Sequence, residues 1–146
     1  MKRQKTVSKI IEIKEFTKEQ LEAEVKKARQ RLNLEQEKLD ILETTYKKTS
    51  ADFIRKQSSG TMPVHEVDLF STFLKHVGRQ IDQQKAVVTR HAEELDTKEA
   101  AMIEAYKEQR LFEVLHDKIV QGQIREAALG EQKEMDYNFL TRKAAK

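Results

Sequence analysis

Cysteine and tryptophan are absent from the 146 residues, proline occurs once, glycine four times, and aromatic residues amount to only 6%. Without thiols the chain makes no disulfide and offers no thiolate, which excludes a stapled small scaffold and cysteine chemistry together. Long apolar runs are missing too. The N-terminus is basic, but Lys9, Glu12 and Lys14 interrupt its apolar residues, so no signal-like or membrane-spanning stretch follows. The expected location is therefore the cytosol, with no direct membrane insertion. A compact globule of this length needs more apolar material to offset chain entropy than 38% hydrophobic residues and a mean hydropathy of −0.77 provide.

What is present is charge, at 36% of residues, and a repeating apolar seam. From Val7 to Phe53 apolar positions recur with a four-then-three spacing, and a second such run goes from Val67 to Ile119. In the first run one seam position holds Ile11, Lys18, Val25, Leu32, Leu39, Tyr46 and Phe53; the other holds Val7, Lys14, Leu21, Ala28, Glu35, Leu42 and Thr49. The second run offers Val67, Leu74, Ile81, Val88, Leu95, Met102 and Gln109 on one series. Its other series is Phe70, Val77, Gln84, His91, Lys98, Ala105, Phe112 and Ile119. A repeat near 3.5 residues implies a left-handed supercoil of helices. Between the runs lies Gln57-Ser58-Ser59-Gly60-Thr61-Met62-Pro63, the one stretch that reads as a turn.

The fold expected is all-α: two long helices making an elongated antiparallel coiled-coil hairpin, as a single domain. Helix one is placed at about 7–56, the turn at 57–63, helix two at 64–121, and an overhanging C-terminal segment at 122–146. About 50 paired residues per arm give a rod of roughly 75 Å. The charges coat the outer faces, where Glu22/Lys26, Glu43/Lys47 and Glu94/Lys98 have the helix-favouring i,i+4 order. Folding about Gly60 sets Phe53 near Val67, Leu39 near Ile81, Leu32 near Val88 and Val25 near Leu95, and exhausts helix one opposite roughly residue 113. Polar seam residues, His91 among them, fix register at a cost in stability.

Residues beyond the pairing stand apart. Gly122 and Gly130 fall in the overhang, each costing a helix about 1 kcal/mol relative to alanine. Ile124, Leu129, Met135, Phe139 and Leu140 have no partner there, so this tail either frays or orders on a partner. Ile10, Ile13 and Phe16, with Tyr106, Leu111 and Leu115 opposite, lie off the seam, as do Leu69 and Phe73 near the turn. Each group either thickens the core or forms a contact patch.

Net charge is +3, with cations gathered at the ends: Lys2, Arg3 and Lys5, then Arg142, Lys143 and Lys146. These are solvated termini or the docking end for an acidic protein. Nucleic acid is not expected, because no aromatic-studded basic face accompanies the charge. Chemistry is not expected either. His65, His76, His91 and His116 lack metal-ligand spacing, no glycine-rich loop ends in Gly-Lys-Ser/Thr, and no Gly-x-Ser-x-Gly elbow occurs. The reading is a binding protein without catalytic residues, metal or cofactor.

Three segments carry a family resemblance. The opening Val7-Ser8-Lys9-Ile10-Ile11-Glu12-Ile13-Lys14-Glu15-Phe16, followed by Glu19-Gln20-Leu21-Glu22, is one. The turn and return, Ser59-Gly60 through Leu69-Phe70 and Phe73-Leu74, is the second. The third is Glu131-Gln132-Lys133-Glu134-Met135-Asp136. Together they resemble the flagellar export protein FliJ, the small coiled-coil component of the type III export ATPase complex, and also the stalk proteins of virulence type III secretion. In that family a glutamate often follows the aspartate; here Tyr137 does.

The resemblance implies a non-catalytic stalk whose helix ends sit in the hexameric export ATPase ring and promote its assembly. It also implies contact with the cytosolic domain of the export gate protein through one flank, and with export chaperones. Carried over, the gate flank comprises Leu42, Tyr46, Thr49, Phe73, Val77, Gln80 and Gln84. The ATPase end comprises Ile10, Ile13, Met135, Asp136 and Phe139. Two other readings stay open: a prefoldin-like chaperone, which needs β-hairpins between its helices, and a structural coiled-coil spacer.

Overall fold

The computed structural model describes residues 2–60 and 62–145. They form two antiparallel helices, α1 from Lys2–Ser58 and α2 from Val64–Ala144, with no strand among them. The connection is short, and its local chemistry explains why the chain reverses here. Ser59 N–H donates to Arg55 O at 3.1 Å and the Ser58 hydroxyl donates to Ile54 O at 2.9 Å, closing the last turn of α1. Gly60 then takes φ of 127°, a region that side chains with a Cβ avoid. Pro63 ends the break: its carbonyl accepts from Glu66 N–H at 3.0 Å and Val67 N–H at 3.2 Å, starting α2. Arg55 and Lys56 in the last turn of α1 and Glu66 in the first turn of α2 complement the helix dipoles.

Contacts gather the chain into two compact units. One is Leu21–Ala101, which holds the turn; the other joins the stretch up to Gln20 with the stretch from Met102. In the turn unit the buried side chains are Val25, Ala28, Leu39, Val77 and Leu95. In the second unit they are Val7, Ala105 and Gln109. All of them occupy expected seam positions. Near the turn the Phe53 and Phe70 rings sit 5.3 Å apart. This pairing lies one helical turn beyond the Phe53–Val67 match expected from folding about Gly60, because the reversal itself uses residues up to Pro63. At the other end the pairing is longer than expected, partly by this offset and mostly because α1 starts at Lys2 and not at about residue 7. Lys2 and Arg3 line a groove with Ile119, Gly122, Gln123 and Glu126, well past residue 113.

The seam lysines solve their burial problem by reaching sideways, stems covered and ammonium groups in water. Lys14 meets Glu108 at 2.7 Å and lies 5.7 Å from the centre of the Phe112 ring. Lys18 sits 5.3 Å from the Tyr106 ring. In the turn unit Lys98 meets Glu24 at 3.5 Å, and Arg29 meets Glu99 at 2.9 Å. Exposed pairs of this kind contribute about 0–1 kcal/mol each, so they orient the helices more than they hold them. No helix among the described residues is long and apolar enough to cross a membrane.

Beyond the paired region α2 does not break. It runs through Gly122 and Gly130 to Ala144, and every residue from Ile124 to Ala145 is exposed. The seam positions explain why no partner helix is retained there. The four seam positions after Ile119 are filled by Gln123, Glu126, Gly130 and Lys133, none of which rewards burial, before Tyr137 and Leu140 resume the series.

Candidate protein-docking surfaces

In the turn unit the residues expected on the gate flank divide by exposure. Tyr46 is 38% exposed and Phe73 44%, although Tyr46 stands on the seam. The Tyr46 ring lies beside Gly78 of α2, where a Cβ would be in ordinary contact with Tyr46 Cε2 at 4.0 Å. Thr49 and Phe73 line one shallow groove together with Leu69 and Phe70. Gln80 is exposed and Leu42 half-buried. Val77 is 3% exposed and faces inward, so it supports this flank from beneath.

Gln84 also turns inward. Its amide donates to Glu35 O at 2.9 Å and to the Glu35 carboxylate at 2.6 Å, which makes a polar layer across the seam. That hydrogen bond, and then the Lys38 ammonium at 3.1 Å, hold the Glu35 carboxyl below its ordinary value. The layer continues outward through Arg31 and His91, which flank Glu94 at 3.9 and 3.7 Å. His91 thus sits as a seam residue beside the Glu94 carboxylate, and no group of three or more side chains that could hold a metal occurs among the described residues.

In the other unit the residues expected at the ATPase end fall into two separate patches. Ile10 is half-buried and Ile13 63% exposed, on the part of α1 where Lys14 meets Glu108. Met135, Asp136 and Phe139 lie on the unpaired end of α2, Met135 at 70% exposure. From Glu108 to Met135 the helix rises about 40 Å at 1.5 Å per residue, so antiparallel pairing keeps the two sets apart. Phe16, Leu111 and Leu115 stay exposed as well, which makes the first patch a surface and not a thickened core. At the seam beside it, the Ser8 hydroxyl and His116 Nε2 lie 3.2 Å apart.

Tyr106 and Leu111, expected off the seam, form with Lys107, Arg110 and Val114 a groove of about 580 Å³ on α2. Other exposed apolar residues escaped the sequence reading. Leu34 and Ile41 stand exposed one heptad apart on α1, a spacing visible in the sequence once the seam is assigned. Ile103 is a third exposed apolar residue off the seam.

No curated protein and no solved structure matches the chain. A sequence model of one family, described as the flagellar FliJ protein, matches residues 4–143.

Proposed function

The chain belongs to the flagellar FliJ family, and from that premise we propose that it is the stalk of a flagellar type III export apparatus. The family's proteins are non-catalytic. In this reading the chain binds the hexameric export ATPase, promotes assembly of its ring and couples it to the cytosolic domain of the export gate protein. Export chaperones are further partners. It acts in the cytoplasm, peripherally attached to the export apparatus at the inner membrane.

One observation carries the reading beyond family membership. The second helix outruns the first and presents Ile124, Met135 and Phe139 without an internal partner. Isolated helices with glycine inside are marginal in water. Such a segment gains most of its stability when something covers it. Cations at Arg142 and Lys143, with Lys2, Arg3 and Lys5 at the start of α1, favour an acidic surface and speed the encounter. A prefoldin-like chaperone fits less well, because α1 passes to α2 without room for β-hairpins.

The test uses the purified export ATPase. A chain lacking residues 124–146 is expected to keep the melting temperature of the full chain within a few degrees. It should lose most ATPase binding and most stimulation of ring assembly. Equal binding and stimulation by the shortened chain would remove the tail from the mechanism and overturn this account.

A further inference from the structure

The end of α2 carries an internal symmetry that a partner of its own kind fits. At about 100° per residue, Ile124, Ala128, Met135 and Phe139 fall within about 60° of one another around the helix. Their order along the chain is palindromic: a pair four residues apart, a gap, and a second pair four residues apart. Two copies of this segment laid antiparallel therefore place Ile124 of each against Phe139 of the other, and Ala128 against Met135. Ala128 on the stripe and Ala127 at its margin are small, which lets the backbones approach closely near the centre. We propose that two copies of this chain associate through residues 124–143 as a short antiparallel helix pair.

Charge decides for a second copy as the occupant. Along one edge of the stripe lie Arg125, Gln132 and Asp136, all exposed. In the antiparallel pair like edges meet, so Arg125 of each copy faces Asp136 of the other. Two ion pairs form, related by the twofold axis. Neither residue has an ion-pair partner among the described residues of its own chain. Gln132 meets Gln132 near the axis on that edge. On the opposite edge Glu131 meets Glu131, a like-charge contact that weakens the pair and gives the arrangement a sign of its own.

The measurements use this chain alone, so they stand or fall separately from any result with the export ATPase. The mass of the full chain by sedimentation equilibrium is expected to climb from 17.1 kDa towards double as concentration rises. R125D and D136R should each weaken association about tenfold, and the two changes in one chain should restore it, since each pair is then reversed. Glu131→Gln should strengthen it. Because the chain has no cysteine, Gln132→Cys gives a clean readout: mild oxidation should link two copies through this residue, and Lys133→Cys, on the far side of the helix, should link far fewer. A mass that stays at 17.1 kDa at every concentration would overturn the proposal. So would equal cross-linking at the two positions, or failure of the double charge reversal to restore association.

Discussion

Glu35 and Gln84 show what a single polar layer does in an apolar seam. Gln84 satisfies both the backbone carbonyl and the carboxylate of Glu35, so no buried polar side-chain atom among the described residues lacks a partner. Shifting α2 by one residue along α1 would break both hydrogen bonds, so the layer favours the observed register. The layer also makes stability depend on acid. The carboxyl is held below its ordinary 4.5 in the folded chain, so its contribution is complete above that value and is lost as pH falls through the folded value. Thermal melts followed by circular dichroism should therefore fall below pH 4.5, and Glu35→Gln should flatten that part of the profile. The same resolution separates seam from surface. Phe73→Ala is expected to cost little stability, since nearly half of the residue is exposed, and under the proposed stalk function it weakens binding to the gate protein's cytosolic domain severalfold. A large drop in melting temperature would place Phe73 in the core.

At the scale of the element, each helix is specified by its seam and stopped by its ends. Leu39 and Val77 are buried in the turn unit. Leu39→Asp or Val77→Asp puts a charge into a buried apolar position, and each should destabilise by about 3 kcal/mol or more. Unchanged helicity and melting in both would disprove the seam assignment. The helices, their direction and the seam were legible from spacing alone, because burial on one stripe repeats every seven residues and leaves that mark at each layer. Register was less legible, since folding about Gly60 ignores the residues that the reversal consumes up to Pro63. The length of α2 was misjudged for a related reason. Gly122 and Gly130 weaken a helix without ending one, and neither is followed by a proline. The docking surfaces were read least well. Tyr46 lies beside Gly78 of the other helix, a neighbour in space that no pattern within one helix reveals.

For the whole molecule the consequence is uneven protection. Helices α1 and α2 hold 57 and 81 residues, so the far-UV spectrum should be almost entirely helical. Amides around Leu39 and Val77 lie under packed side chains, whereas those from 124 to 144 belong to a helix that nothing covers. Hydrogen exchange in the dilute free chain should therefore be slow in the first region and fast in the second, because exposed turns open at little cost. Comparable protection in both would mean that the tail is held by something other than packing. The family match runs over nearly the whole length, residues 4–143. That fits a protein whose specificity is spread along surfaces.

The polar layer and the seam residues of the turn unit pair with near neighbours on the other helix, as Glu35 pairs with Gln84 and Phe53 with Phe70. Nothing in such a ladder counts its own rungs. Removing seven residues from α1 and the seven opposite them from α2 would restore the stripe on both helices, while removing seven from one alone would turn every later layer against the wrong neighbour. Length is thus a freely editable quantity in this chain. Selection can adjust the distance from the turn to any surface by whole heptads, provided that insertions and deletions arrive in pairs.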